Sequence, residues 1–574
     1  MKNHEIAVIF EHIADILELK GENRFRINAY RKASRILHDL TENIEDVDRE
    51  GRLKEISGIG AGMTEKIEEY LKDGKIERYE ELKKEIPNGL VTLLSVSGLG
   101  PKGVAKLNKE LGIKNIDDLK KAIQNGKLRE LEGFGEKKEE NISRGVEIFE
   151  SSKGWIPLGM AFPVAENILE HLFLIKEVKK AVPAGSLRRM KETIGDIDIL
   201  VTGKNGHKII EHFKKYPGVK EVLASGETRG SIRVEEGLQV DLRFVPEESF
   251  GSALQYFTGS KNHNIKLREM AKKMGLKINE YGVFRGEERL GGKSEEEIYK
   301  LLNLPVMPPE VREDRGEIEL ATKGKTPDII ENKHIRGDFH VHSRDSDGNN
   351  SLREIAAAGK KMGYEYIAVT DHSQSLHVAH GLTPERLEKQ IEEIEAVNKE
   401  NEGITLLKGC EVDIKNDGAL DFPDNLLEKL DIVVVSIHSG FTQDEDKLTG
   451  RVLDAMDNPF VRIFSHPTGR LIGERDAYKI NLEKVIKKAR ERNIALEINA
   501  YYKRLDLNDI NSRRAKEIGA KLVIGTDAHH TDQLWMMKFG VSVARRGWLE
   551  KKDILNTFSL EKLGKWLKSK KVKF

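Results

Sequence analysis

Asp196 and Asp198 stand two residues apart in the stretch AGSLRRMKETIGDIDIL, residues 184–200. In an extended strand, side chains at i and i+2 project to the same face, so the two carboxylates repel unless cations join them. A third acid, Asp241, sits on a separate strand-like run, LQVDLRFV. It could complete a site for two Mg²⁺ ions that activate an attacking hydroxyl and brace a leaving oxygen. Just upstream, Gly185-Ser186 and Arg188-Arg189 supply a flexible turn, a hydroxyl and guanidinium groups, the parts needed to hold a triphosphate. An isolated Asp-x-Asp is usually a solvated turn, but the glycine-serine turn, the arginines and Asp241 together argue for a site.

A second set of chemistry-bearing residues recurs at the ends of strand-like runs near the C-terminus. FHVHS places His340 and His342 on one face and Asp347 follows in the next loop; TDHS adds His372 and KGCEVD adds Glu411. SIHSG carries His438, FSHPTG carries His466, and GTDAHH carries Asp527 and His529. One histidine at a strand end is ordinarily structural, but nine candidates at such places point to a metal cluster. Nitrogen and oxygen donors without thiolate suit two or three Mn²⁺, Zn²⁺ or Fe ions, which lower the pKa of bound water and neutralise a phosphate during phosphoester hydrolysis. His377, His380 and His530 have no assigned part; substrate contact and plain surface are equally open. The single cysteine, Cys410, excludes an intramolecular disulfide and a thiolate-rich zinc site, and reads as a buried apolar filler.

Several domains must position these groups, because 574 residues exceed one core. With 33% charged and 38% apolar residues the composition is that of globular domains with ionised surfaces. No run approaches the ~18 apolar residues of a membrane span, and the acidic, amphipathic N-terminus is unlike a signal peptide. A cytoplasmic protein without membrane contact is expected. A net charge of zero leaves nucleic-acid binding to the motifs.

Residues 1–150 read as short helices broken by glycine turns, and three turns repeat: ISGIGAGMTEKI (56–67), VSGLGPKGVAKL (96–107) and LEGFGEKKEENI (131–142). Gly58 and Gly60, Gly98 and Gly100, and Gly133 and Gly135 would let backbone N–H groups face an anion above a helix N-terminus. The pattern resembles the helix-hairpin-helix motif, which grips a DNA phosphate without reading sequence. From Trp155 to about Val245 strands and helices mix, and residues 250–304 return to helix and turn. Residues 304–330 carry the proline and charge density of a linker. Beyond it, strand-like runs alternate with amphipathic helices such as 384–399 and 481–492, which suggests a closed or nearly closed α/β barrel with its site at strand C-terminal ends.

Around Asp196 and Asp198 the chain resembles DNA polymerase family X, the polymerase beta-like enzymes. The likeness covers residues 1 to about 310 and includes Arg-x-Asn-Ala-Tyr-Arg-Lys-Ala at 26–33 and YFTGS at 256–260. It implies that Asp196, Asp198 and Asp241 are metal ligands and that Gly185, Ser186, Arg189 and Gly195 surround the incoming triphosphate. Tyr256, Phe257 and Gly259 would line the nucleotide's sugar, while Asn264 and Arg268 would contact the nascent pair and template. Gln239 stands where an arginine is common, and Lys261 replaces an acid. Lys66, in the first glycine hairpin, falls where the polymerase beta-like enzymes carry the amine that forms a Schiff base with an abasic sugar, a role that requires a lowered pKa.

Residues 337–574 resemble the polymerase and histidinol phosphatase (PHP) domain at all nine ligand positions, which implies retained hydrolysis. The whole is expected to be multidomain, α/β and α+β: a lyase-like helix-hairpin-helix domain (1–82), fingers (83–150), a nucleotidyltransferase palm (151–248), a thumb (249–312), a linker (313–336) and a PHP barrel (337–574). The resemblance implies a gap-filling repair polymerase with Mg²⁺ at the palm. It further implies that the barrel acts as a 3′–5′ exonuclease, with abasic-site endonuclease or 3′-phosphatase as a further activity, at a Mn²⁺ or Zn²⁺ centre. Expected partners are gapped or nicked duplex DNA and deoxynucleoside triphosphates, and the expected state is a monomer. The competing readings are a non-catalytic DNA-end scaffold, which would lack the catalytic carboxylates, and a polymerase fused to a small-molecule phosphatase.

Overall fold

A computed structural model of the chain describes residues 2–39, 44–56, 58–85, 88–93, 96, 99–151, 155–235 and 237–568. It divides into two compact units, one of residues 1–153 with 473–475 and one of 154–472 with 476–574. No described helix is long and apolar enough to cross a membrane.

The first unit is helical. The expected boundary at residues 82/83 does not separate two cores, because Ile6, Phe10 and Ile67 share one buried cluster with Val104, Leu119 and Phe134. Each glycine repeat opens a helix as its pattern predicts. Ala61–Asp73 starts at Gly60 and Pro101–Leu111 starts at Gly100, while Gly133 (φ +82°) turns the chain into Gly135–Ser151.

In the second unit the palm is a five-stranded sheet ordered Val178–Pro183, Asp196–Gly203, Gln239–Phe244, Arg229–Val234, Val219–Ser225. Strand alternation divides its residues between two faces. Ile197, Ile199 and Val201 enter the core under the helices Leu158–Phe173 and Gly206–Phe213, whereas Leu200 packs on the opposite face against Phe250 and Leu254 of the helix Phe250–Thr258. Asp196 and Asp198 share that second face. The thumb follows, with helices Lys261–Lys273 and Glu295–Leu301 beside a three-stranded sheet around Ile278, Val283 and Tyr299.

The stretch expected to be a linker is packed rather than extended. It contains the helix Glu317–Ala321, and Glu317 is buried with its carboxylate 2.7 Å from His263 Nδ1. Proline and charge content resemble those of a free linker, but here Glu313, Arg315 and Glu317 are paired with other parts of the chain.

The C-terminal part is a seven-stranded sheet in sequence order, from Gly337–Val341 to Lys521–Gly525, with every neighbouring pair parallel. A parallel bridge between Val341 and Ala528, with His342 N–H donating to the Ala528 carbonyl at 2.8 Å, returns the last strand to the first. The barrel expected from the βα alternation therefore closes, and its strand C-terminal ends converge.

Candidate active sites

The palm carboxylates meet through register. The Asp196 strand runs parallel to the Gln239 strand with Asp198 directly beside Asp241. Burial, then the charges of Asp196 and Asp241, push the Asp198 carboxyl up to about 6; burial and Asp241 also raise Asp196. Two carboxylates that resist ionising beside a third are what a divalent-cation site looks like before the cation neutralises it. Asp241 accepts from Ser231 Oγ and from Gln239 Nε2 (3.1 Å), and Arg229 Nη2 lies 3.5 Å away. The cation that the resemblance expected at position 239 is thus supplied by Arg229 on the neighbouring strand, which no local spacing would reveal.

Gly185 touches this cluster. A Cβ there would lie 2.6 Å from Asp198 Oδ2, and its φ of +60° is costly for other residues, so glycine lets this turn approach the carboxylates. Ser186 follows in the short helix Gly185–Arg188, and Gly195 directly precedes Asp196. Both arginines are already engaged. Arg188 forks onto Glu295 (2.9 and 2.7 Å), while Arg189 donates to Glu313 (2.9 Å) and to the Thr258 carbonyl (2.8 Å). Tyr256 and Phe257 stack edge to face at 5.1 Å, and Arg243 covers the Phe257 ring at 4.7 Å. Asn264 Nδ2 donates to the carbonyls of Tyr256 (2.7 Å) and Gly259 (3.1 Å), holding the end of that helix, while Arg268 is exposed on the next.

In the first unit, Lys66 lies on the helix Ala61–Asp73 with Nζ 3.1 Å from the Gly62 carbonyl. Gly58 has φ +93°, and Gly98 lies outside the described residues.

All nine barrel residues converge. His342, Asp347, His372 and His529 form one group with potential ligand atoms within 4.8 Å of one another; His340, His342 and Asp527 form a second, and His372, Glu411 and His438 a third. His466 Nε2 lies 2.9 Å from Glu411 Oε1. His342 belongs to two groups and His372 to two, so the three groups overlap in one cluster. Burial, then repulsion from the His529 and His372 cations, lowers His342 to about 3. Burial opposes charge on His529, but Asp347 and Asp527 outweigh it and raise it to about 9. Glu411 is likewise held well below its ordinary range, because His438, His340 and His372 overcome its burial. His340 Nε2, His342 Nδ1, Glu411 Oε2 and His466 Nδ1 are buried with no hydrogen-bond partner. Buried donors and acceptors left unpaired cost about 1–3 kcal/mol each, so the cluster fits metal ions, which would satisfy these atoms together. His466 (φ +27°) and Asp527 (φ +54°) both hold left-handed backbone, the kind of strain that collects at functional sites.

A surrounding layer escaped the sequence reading. Glu497 receives His340 Nδ1 (2.7 Å) and the His466 N–H (2.7 Å), which turns His340 Nε2 toward the cluster. Gly525 leaves room for it, since a Cβ there would strike Glu497 and come within 2.5 Å of His340 Cβ. Asp338 accepts from Thr526 N at 3.0 Å, and Asp371 from Ser343 at 2.8 Å. Arg504 Nε lies 3.4 Å from Asp527. Asp338 could have been found by its period-two spacing with His340 and His342, and Glu497 as a lone charge in the apolar run ALEIN. Among the unassigned histidines, His530 accepts from Asp532 N and caps the turn Thr531–Met536; His377 and His380 are exposed. Cys410 is buried, and its thiol is raised well above its ordinary value by burial and nearby carboxylates.

Family models match for a helix-hairpin-helix domain over residues 1–76, a SAM-like helix-hairpin-helix tandem over 90–146, a DNA polymerase beta thumb over 253–313 and a PHP domain over 338–504. The chain is 44% identical over 572 residues to the DNA polymerase/3′-5′ exonuclease PolX of Bacillus subtilis (strain 168), spanning 99% of this chain and all of that one. A probable phosphatase of Thermoanaerobacter sp. (strain X514) is 30% identical over 247 residues, 41% of this chain and 96% of the relative. DNA polymerase lambda of Arabidopsis thaliana is 25% identical over 352 residues, 54% of this chain and 62% of that one.

Proposed function

Because this chain belongs to the family X DNA polymerases that carry helix-hairpin-helix domains, a thumb and a C-terminal PHP domain, we propose that it fills short gaps in DNA at the palm and trims 3′ ends in the barrel. The observation that carries the polymerase reading is the register that sets Asp198 beside Asp241, with Asp196 on the same face. Mg²⁺ ions held by these three carboxylates would neutralise the triphosphate and favour ionisation of the primer 3′-hydroxyl. The chain's own groups do the rest. Ser186 and the Gly185 turn seat the triphosphate against the carboxylates, Tyr256, Phe257 and Gly259 bound its sugar, and Asn264 and Arg268 reach the nascent pair and template. Arg189 serves the triphosphate once it exchanges Glu313 for phosphate.

In the barrel the nine donors would hold two or three ions, with Mn²⁺ or Zn²⁺ preferred by the nitrogen and oxygen set. Such ions would supply hydroxide at neutral pH and bind the scissile phosphate. Glu497 keeps His340 in the tautomer that presents Nε2. Gapped or nicked duplex DNA is the polymer substrate, with the glycine hairpins on its phosphates. Lys66 is proposed as the Schiff-base lysine of a 5′-deoxyribose phosphate lyase. Complete carboxylate and ligand sets weigh against a non-catalytic scaffold, while the likeness of the barrel to a probable phosphatase keeps small phosphate monoesters as the second reading for that site. Full-length protein bearing Asp198→Ala should fold normally yet fail to extend a primer across a one-nucleotide gap. Extension at the wild-type rate would remove the palm assignment.

A further inference from the structure

The short palm segment that leads from the triphosphate turn to Asp196 is gripped from the barrel by two arginines. Arg470, four residues after His466, forks onto Glu192, four residues before Asp196, at 3.2 and 2.7 Å. Its remaining donors reach the carbonyls of Arg504 (2.9 Å) and Leu505 (2.6 Å). The loop bearing Arg470 is itself fixed, because the N–H groups of Thr468 and Gly469 donate to buried Asp506 at 2.9 and 3.0 Å. At the other end of the segment, Arg546 closes the helix Met537–Arg546 and donates to the Arg189 carbonyl (2.8 Å) and to Glu313 (3.0 Å). Its other nitrogens lie 3.1 and 3.0 Å from Asp509, which also takes Arg315 at 2.8 Å.

Each contact binds one end of residues 189–192, between Ser186 and the carboxylates. A planar guanidinium that forks onto a carboxylate fixes orientation as well as distance, and a carbonyl held by a buried arginine fixes the backbone. The palm also secures this segment, chiefly through its backbone: Met190 N donates to the Leu187 carbonyl at 2.9 Å, Lys191 N to the Ser186 carbonyl at 3.1 Å and Leu158 N to the Glu192 carbonyl at 2.9 Å, and Ile194 pairs with Ile156, so that the Glu192 side chain is held from the barrel. Nearby, Phe162 meets the barrel's Phe539 edge to face at 5.9 Å, with Lys538 over the Phe162 ring at 3.8 Å. The two enzymes therefore share a packed boundary that reaches the polymerase turn.

We propose that Arg470 and Arg546 are positioning residues for nucleotide insertion, so that the barrel is part of the polymerase's scaffold in addition to being a nuclease. The proposal rests on the reading of Asp196, Asp198 and Asp241 as the polymerase site. Insertion needs reacting groups placed to within about 1 Å, and a misplacement of that size costs on the order of 100-fold.

The test is a double-mutant cycle in full-length protein, reading kcat and the dNTP KM for insertion into a one-nucleotide gap and the Kd for the gapped DNA. Glu192→Gln is the mild palm-side variant, since Glu192 is 37% exposed and its loss should spare folding. Glu192→Gln and Arg470→Ala should each lower insertion kcat/KM by roughly 10-fold or more with unchanged DNA Kd. The double variant should fall no further than the worse single, and Arg546→Ala should show the same kinetic pattern. Arg470→Lys, which keeps a cation and donors for Glu192 and the neighbouring carbonyls, should recover part of the Arg470→Ala loss, but only while Glu192 is present, which general damage to either domain would not produce. Losses under twofold, or losses that multiply in the double variant, overturn the proposal while Asp198→Ala in the same assay remains inactive. An active Asp198→Ala overturns the site reading and the proposal with it.

Discussion

Replacing Glu295 by glutamine should loosen the polymerase turn from a distance. Glu295 opens the helix Glu295–Leu301, is 8% exposed, and joins Arg188 (2.9 and 2.7 Å) to fully buried Arg312. Arg188 in turn donates to Thr258 Oγ1 at 2.7 Å, at the end of the helix bearing Tyr256 and Phe257. Burial works to raise the Glu295 carboxyl, but the two arginines outweigh it and hold it at about 2 against an ordinary 4.5. At about 1.4 kcal/mol per pH unit, that displacement corresponds to roughly 3 kcal/mol of native-state stabilisation. Because the native pKa is depressed, the contribution is complete above about pH 4.5 and is lost as pH falls toward 2. The amide keeps the shape but not the charge, and it leaves two cations facing each other. Hydrogen exchange of the 250–258 and 295–301 amides in full-length protein at pH 7 should quicken roughly 100-fold in Glu295→Gln, the equivalent of that energy. The difference between variant and wild type should shrink to about half or less by pH 3. Unchanged exchange at pH 7, or a difference indifferent to pH, would refute the reasoning.

Affinity for gapped DNA should be nearly independent of sequence and fall steeply between 50 and 200 mM salt, about 10³-fold or more for six phosphate contacts, because the hairpins release counterions; a flat salt response would exclude backbone gripping. Borohydride should trap a covalent adduct with a 5′-deoxyribose phosphate end that Lys66→Ala loses, and an equal yield from the variant would place the lyase elsewhere or nowhere. His342→Ala, which removes a donor common to two of the three ligand groups, should abolish exonuclease on a 3′-recessed duplex and lower the bound metal content while gap filling persists. Undiminished exonuclease would move that activity out of the barrel, and wild-type activity confined to small phosphate monoesters would favour the fused-phosphatase reading.

Much of the chemistry was open to reading from the chain alone, because it depends on local spacing. Asp196 and Asp198 share a face by strand periodicity, the glycine hairpins repeat, and the candidate metal-binding residues of the barrel end successive strand-like runs. Composition misled at residues 313–336, where charge density suggested a free linker although Glu313, Arg315 and Glu317 are all paired. Only the tertiary structure set Asp198 beside Asp241, replaced the expected cation at 239 with Arg229, placed Glu497 behind His340, and engaged the Arg189 side chain with Glu313 and its carbonyl with Arg546. The physical reason is that residue type and periodicity prescribe which face a side chain occupies, whereas strand register and the partner of a buried arginine are decided by how whole elements pack. That is why Arg470 and Glu192, 278 positions apart, carry no mark of each other in the chain yet meet at the boundary of the two enzymes.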